Sequence, residues 1–367
     1  MKFLLVSPKN RTVYNFRGDL IKEIVKKGYE VIVTGPDWTD VEKIEALGAK
    51  FAQIPMDKTG TNVISDLKYC RTLYQLIQRE KPDATLGYTV KPAIYGAVAA
   101  HFAGVQNVSS MVTGGGYTFT AASLKAKILG FIVRCLYRIG LGYADHVIFQ
   151  NPDDLNEFCA RGLVKRDKCS VVNGSGVNVR HYATASFPKE ITFFMLSRLL
   201  KSKGVQEYLE AADIVKKKYP QARFCLLGKY ETTMQDAVPQ ERIEVYIKRG
   251  TVERFKETHD VRPYYAMCSV YVLPSYREGT PRTVLEAMSM GRPIITTDTQ
   301  GCRETVVDGE NGYLVPVKDS KTLAEKMICF IEKSDLVESM GKKSREYALR
   351  KFDVNKVNSD MLEIMQL

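Results

Sequence analysis

Short apolar runs alternate with helical stretches along almost the whole chain, and no other feature restricts its fold so strongly. Strands are expected at residues 3–6, 29–34, 51–54, 84–87 and 107–113. Helical stretches fall between them at 17–27, 40–47, 63–80 and 93–103. This βαβ alternation predicts a parallel sheet covered on both faces. Gly28, Gly48 and Gly104 stand where helices would end, at positions that favour a left-handed residue. A second series begins near Lys168, with strands expected at 191–196, 223–227, 243–247, 270–273, 293–297 and 312–316. Residues 173–188 are small and polar with little periodicity, and read as the linker. The expected architecture is α/β: two Rossmann-like, doubly wound domains facing across a cleft, the first over 1–180 and the second over 181–351. Residues 352–367 read as a helix that crosses back to the first domain.

The chain has 367 residues, more than one typical core accommodates. Its start is too short in apolar residues for a signal-peptide core, and no apolar run approaches the roughly 20 residues that span a bilayer. Eight scattered cysteines without a C-x-x-C pair, and four dispersed histidines, speak against a zinc site and for reduced thiols in a cytoplasmic setting. The net charge is +11, and it is uneven: residues 1–180 carry 24 Lys/Arg against 16 Asp/Glu, the remainder 29 against 26. Such an excess favours an anionic membrane or a phosphorylated ligand. Nucleic acid is not expected as a partner, since no aromatic–basic repeat, RNP-like strand or zinc knuckle accompanies the charge.

The richest segment runs from Glu278 to Glu286, two carboxylates eight positions apart. It follows an apolar strand, so its loop lies at a strand's carboxyl end, where open parallel sheets bind ligands. Thr280 suits an N-cap and Pro281 the first helical position, with Gly291 and Pro293 ending the helix. Free N–H groups of Arg282 to Val284 would favour an anion such as a diphosphate. Glu278 and Glu286 would then accept hydrogen bonds from hydroxyls on either side of it. Hexose, diphosphate and ribose have that layout in a sugar nucleotide. A bare pair of solvated glutamates on an ordinary strand–loop–helix unit is the plainer alternative; the glycines, the proline and the preceding strand argue against it.

At this point the second half resembles a known family, the donor domain of family 4 glycosyltransferases, which have the two-domain GT-B fold. The resemblance is carried by residues 197–204 (Ser-Arg-Leu-Leu-Lys-Ser-Lys-Gly), Leu226-Leu-Gly228 and 260–265 (Asp-Val-Arg-Pro-Tyr-Tyr), then by the Glu278–Glu286 segment. It continues through residues 291–298, 301–304 and 308–312. It implies a nucleotide-sugar donor, most often a UDP-sugar, retention at the anomeric carbon, no metal and no other cofactor. Arg198 and Lys203 match the cations that hold the donor phosphates and supply the charge a metal would otherwise bring. Glu286 should hold the ribose hydroxyls, and Glu278, counted with Arg198 and Lys203 as catalytic, the donor sugar near its 3- or 4-hydroxyl, with no nucleophile assigned. Gly279, Thr280, Pro281 and Arg282 would form the loop against the donor, Gly228 would allow close approach of the nucleotide, and Lys248 falls where the base is expected. The turn 308–312 reads as structural. Arg303 and Glu304, in the 301–304 loop, either line the donor site or pair at the surface.

The first half resembles bacterial enzymes that extend capsule, O-antigen or glycan precursors on a polyprenyl diphosphate, through residues 8–17, 87–92 and 112–116. That resemblance implies a lipid-linked saccharide acceptor and makes Thr113 and Gly114 candidates for contacting it. A histidine that some members carry there is absent. Residues 123–141 combine apolar side chains with Lys125, Lys127, Arg134 and Arg138, so as a helix they would suit an anionic membrane surface, the alternative being a core helix with a basic outer face. The expected place of action is therefore the inner face of the cytoplasmic membrane. The rival readings are an epimerase of the same fold acting on UDP-N-acetylhexosamine, and a sugar-nucleotide binder without activity. A nicotinamide enzyme is disfavoured because neither half opens with G-x-G-x-x-G.

Overall fold

A computed structural model describes the chain except residues 58–61, 115–123, 233 and 235; for residues 124–127 it describes the backbone alone. The chain divides into two compact units, Met1–Ser175 with Asn355–Leu367, and Gly176–Val354.

The first unit contains strands β1 (Lys2–Val6), β2 (Glu30–Gly35), β3 (Ala49–Gln53), β4 (Ala84–Tyr88), β5 (Asn107–Val112), β6 (His146–Phe149) and β7 (Cys169–Val171). They form one sheet in the order β3-β2-β1-β4-β5-β6-β7, parallel throughout. Strand side chains alternate between faces, so Phe3, Leu5, Val31 and Val33 enter one core while Leu4, Val6 and Ile32 enter the other. Both cores are closed by helices, which is why the strands read as continuous apolar runs. The helix Val354–Ile364 belongs to the first of these cores, to which the C-terminal segment gives Val357, Met361, Leu362 and Met365. The Asn107 side-chain amide bonds the Met365 carbonyl at 2.5 Å and Lys27 bonds that of Leu367 at 2.9 Å.

The second unit contains β8 (Thr192–Leu196), β9 (Arg223–Leu227), β10 (Glu253–Phe255), β11 (Val270–Leu273), β12 (Ile294–Thr297) and β13 (Gly312–Val315). Their order is β10-β9-β8-β11-β12-β13, again all parallel. In both sheets strand order reverses beside a central strand, between β1 and β4 and between β8 and β11. These are the two places where an open α/β sheet leaves a crevice at its carboxyl edge.

Three expectations change. Residues 243–247 are part of the helix Gln240–Lys248, and β10 follows it. Ile243, Tyr246 and Ile247 share a helical face, with Ile243 fully buried; over five residues the pattern Ile-Glu-Val-Tyr-Ile fits either period. The strand β6 and the helix Pro152–Ala160 lie in a stretch for which no elements were expected. Most of the expected linker is fixed to the second unit. Arg292 donates to the carbonyls of Ala185 and Ser186, and Arg345 to those of Val179 and Tyr182.

Candidate functional site

The site of the second unit is built from the loops that follow β8, β11 and β12 at the carboxyl edge. Tyr276 N–H donates to the Ser202 carbonyl at 2.9 Å, and the Ser275 hydroxyl approaches the same oxygen at 3.1 Å, joining the first two loops. Glu278 N–H donates to the Gln300 carbonyl at 3.1 Å, joining the second loop to the third. Two glycines make this closeness possible. A Cβ on Gly204 (φ +73°) would lie 2.0 Å from the Pro274 carbonyl oxygen, and one on Gly301 (φ +74°) would lie 2.1 Å from that of Gly279. Both distances are impossible for a side chain, and both φ values are unfavourable for any residue but glycine.

Within this frame Lys203 reaches across from the β8 loop and forms an ion pair with Glu278 of the β11 loop. Both side chains are largely buried, so the pair is screened less than a surface pair would be. Arg198, on the same β8 loop, is exposed, and its guanidinium reaches the Met234 sulfur at 3.3 Å. Gly228 follows β9 and sits against the β8 loop, where a Cβ would lie 2.1 Å from the Ser197 carbonyl oxygen. Arg254 donates to the Gly228 carbonyl at 2.9 Å and stacks on the Tyr230 ring at 3.9 Å.

Glu286 lies in the helix Arg282–Ser289 and is buried. The Tyr265 hydroxyl is 3.0 Å from its Oε2, and Arg282 Nε donates to its Oε1 at 3.2 Å. Arg282 also donates to the Gly176 carbonyl at 2.6 Å. Burial, and then the charge of Glu286, push the hydroxyls of Tyr182 and Tyr265 well above the usual phenol range. Both therefore remain protonated, and Tyr265 can donate to the carboxylate. Burial, reinforced by the hydrogen bond to Glu207, likewise pushes Tyr276 up. Cys302 is fully buried, and burial with the charge of Glu278 raises its thiol to about 11.

The helix start differs from expectation. It opens at Arg282, with Pro281 in the cap position at ψ 106° and no side-chain cap, so Thr280 is not the N-cap. The Val284 N–H is taken by the Pro281 carbonyl at 3.0 Å, which removes one of the three expected anion donors. Gly291 ends the helix at φ +79°, as its position predicted.

Arg198, Lys203, Gly228, Glu278, Gly279, Thr280, Pro281, Arg282 and Glu286 thus belong to one edge of one sheet. Lys248 does not join them. It ends the helix that leads into β10, so it lies at the amino-terminal edge of the sheet, a strand's length away. Its placement near the base came from the resemblance and not from the position of residue 248 on an element. Arg303 pairs with Asp298 at the surface at 2.8 Å and Glu304 with the partly buried Lys351 at 2.8 Å, so the two do not pair with each other. Thr113 and Gly114 lie in the first unit, directly after β5 at its carboxyl edge. Gly115 and Gly116 lie outside the described residues. Sequence reasoning gave no role to Tyr182, Tyr265, Tyr276 or Arg254. Tyr265 stood inside the segment 260–265, but nothing in its spacing ties it to a carboxylate 21 positions further on.

Two parallel-sheet Rossmann-like units, the second with carboxylates and cations at its carboxyl edge, are the architecture of the GT-B fold. The chain belongs to the glycosyltransferases by sequence as well: residues 181–347 match the family described as Glycosyl transferases group 1, and residues 2–151 match Glycosyl transferase 4-like. It is 26% identical to the N,N'-diacetylbacillosaminyl-diphospho-undecaprenol alpha-1,3-N-acetylgalactosaminyltransferase of Campylobacter jejuni, covering 99% of this chain and 98% of that protein. It is also 26% identical to the UDP-Gal:alpha-D-GlcNAc-diphosphoundecaprenol alpha-1,3-galactosyltransferase of Escherichia coli, covering 83% and 80%. Among solved structures, Anabaena Alr3699/HepE in complex with UDP and glucose superposes with a TM-score of 0.81 at 18% identity, over 100% of this chain and 99% of that one.

Proposed function

We propose that this glycosyltransferase moves a hexose or N-acetylhexosamine from a UDP-sugar to a polyprenyl-diphosphate-linked saccharide in bacterial surface-polysaccharide or glycan assembly. In this reading transfer proceeds with retention and without a metal. The observation that carries the donor half is the Lys203–Glu278 pair beside the buried Glu286, all at the carboxyl edge next to the β8/β11 reversal. The acceptor class is supported by the two relatives, whose names specify undecaprenyl-diphosphate saccharides. UDP is supported by the name of the Escherichia coli relative and by the nucleotide held in the Anabaena neighbour.

Each group then has a task. Glu286, oriented by Tyr265 and Arg282, accepts hydrogen bonds from the two ribose hydroxyls. Arg198 and Lys203 take the diphosphate, whose negative charge grows as the bond from the anomeric carbon to the phosphate oxygen breaks. Glu278 accepts from hydroxyls of the sugar. The acceptor hydroxyl oxygen forms the new bond to the anomeric carbon, and its proton leaves on the departing diphosphate. No described helix is long and apolar enough to cross a membrane. In this reading the lipid-linked acceptor is met at the membrane surface, on its inner face.

The test is nucleotide release from a panel of UDP-, GDP- and ADP-sugars, with EDTA, with and without polyprenyl-diphosphate saccharides, for wild type and Glu286→Ala. Acceptor-dependent release of UDP that survives EDTA and is lost in the variant is the expected result. Release of UDP without any acceptor would point to the epimerase. Tight donor binding with no release across the panel would point to a binder.

A further inference from the structure

The loop between β2 and the helix Val41–Glu45 is built to hold one side chain out of the fold. It reads Pro36-Asp37-Trp38-Thr39-Asp40. Asn10, buried at the start of the helix Asn10–Phe16, donates through its amide to the carbonyls of Asp37 at 2.8 Å and Thr39 at 2.7 Å, one on each side of Trp38. Gly35 makes room for that reach, since a Cβ there would collide with Asn10 Oδ1. The Thr39 N–H donates to Asp37 Oδ1 at 2.9 Å, and Gln53 Nε2 donates to the Pro36 carbonyl at 3.3 Å. The loop ends on Asp40 in the left-handed region at φ 55°, which aspartate adopts more readily than most residues. The Tyr14 hydroxyl and Lys43 hold the two carboxylate oxygens of Asp40 at 2.9 and 2.6 Å.

What this frame presents is the only tryptophan of the chain. Its ring stands against Phe51 of β3, with centroids 5.3 Å apart at 61°, yet the residue is 64% exposed. A tryptophan that merely capped the core would bury its own ring over Phe51; this one leaves most of its surface in water. Single exposed apolar residues are ordinary on helix faces. An indole with both flanking carbonyls fixed is different, because the ordering that a binding contact requires is already in place. The loop lies at the carboxyl edge of the first sheet, where β2 adjoins β1, and Asn10 ties it to the helix that follows β1. Trp38 is thus one loop away from the crevice at the β1/β4 reversal, two strand spacings or about 10 Å from β4. Thr113 and Gly114, after β5, lie on the far side of that crevice. A ligand with its reacting end in the crevice and its body over β1 and β2 would cross the indole.

Polar side chains surround the ring. Asp37 and Thr39 flank it and are exposed, and Gln53, two residues after Phe51 on the same face of β3, is exposed beside the loop. The carboxylates of Asp37 and Asp40 disfavour an anionic ligand here and suit a neutral one rich in hydroxyls. The C–H face of a pyranose meets the negative face of an aromatic ring, while its hydroxyls donate to carboxylates and amides at the rim. We propose that Trp38, with Asp37 and Gln53, forms a saccharide subsite. In it the sugar next to the one in the crevice stacks on the indole, so the acceptor carries at least two sugars. This rests on the saccharide acceptor proposed above.

The test uses the full chain and detergent-solubilised polyprenyl-diphosphate saccharides of one, two and three sugars. Because Trp38 is the sole tryptophan, its emission reads the subsite directly. Saccharides of two or more sugars should shift that emission to the blue, and the sugarless polyprenyl diphosphate should not. Trp38→Ala should raise the KM for those acceptors about tenfold, a loss of roughly 1.4 kcal/mol. The KM for a single-sugar acceptor, the KM for the donor, kcat and the melting temperature should stay where they are. Trp38→Phe should recover most of the acceptor affinity, since it keeps an aromatic face. A structural role alone would move the melting temperature and would not depend on acceptor length. No emission shift with any saccharide, an equal shift with the sugarless lipid, or an unchanged KM for the longer acceptors in Trp38→Ala would overturn the proposal. The two readings fail separately. A protein that transfers to every acceptor with wild-type KM in Trp38→Ala refutes only the saccharide subsite; one whose emission answers to saccharides but which releases nucleotide from no donor refutes only the transferase reading.

Discussion

Glu286 shows how much of a functional side chain is decided by its neighbours. Its carboxylate is held by a phenol from before β11 and a guanidinium one turn earlier in its own helix. Replacing Tyr265 by Phe removes the hydroxyl and keeps the ring in its packing. A hydrogen bond to a charged group contributes about 1.5–3 kcal/mol, so the KM for the donor should rise roughly tenfold. kcat and the melting temperature should move little, and steady-state kinetics with a thermal scan tests both; an unchanged KM would make Tyr265 a packing residue only. Arg292 is the structural counterpart. It is fully buried, lies over the Phe187 ring at 4.5 Å and donates to the carbonyls of Tyr265, Ala185 and Ser186 at 2.9–3.0 Å. Arg292→Met leaves those acceptors unsatisfied in the interior and should cost roughly 3 kcal/mol or more, measured by urea unfolding.

Among the elements, the β11 loop depends on what lies either side of it. Gly301 is one of its two close approaches, Gly204 being the other, and its neighbour across the gap is backbone that no rotamer change can relieve. Gly301→Ala should therefore push Glu278 and Gly279 away from the β12 loop. A large fall in kcat/KM with a modest loss of stability is expected; wild-type kinetics from a folded Gly301→Ala protein would refute a positioning role. The same scale explains Lys248. A helix and a strand share the pattern of residues 243–247, yet they deliver the next residue to opposite edges of a parallel sheet. The helix therefore leaves Lys248 at the amino-terminal edge, away from the site loops.

At the scale of the whole molecule, the last helix is part of the first unit although the second separates them in sequence. Deleting residues 355–367 removes Val357, Met361, Leu362 and Met365 from a core that also contains Phe3, Leu5 and Met111. Amide exchange in β1 and β5 should accelerate on truncation, and native protection there would show that the core closes without the helix. The two units also divide their surfaces differently, with apolar exposure concentrated on the first. That asymmetry is invisible in overall composition, because the chain as a whole is 45% hydrophobic, ordinary for a globular protein.

The sequence by itself determined the α/β class and the site loops that lie beside strands. An apolar run with a glycine-bounded helix after it reads as a buried parallel strand with a loop at its carboxyl end, which placed Glu278 and Glu286 beside β11, while Lys203 was singled out by the resemblance of residues 197–204. Tertiary structure alone decided which partners those side chains meet. Lys203 and Glu278 are 75 residues apart and come together because β8 and β11 are adjacent at the reversal of strand order, which no local pattern encodes. Tyr265 and Arg254 became visible for the same reason. Periodicity reports which face of an element is apolar; only the packed sheet decides what that face, and each loop at its edge, is set against.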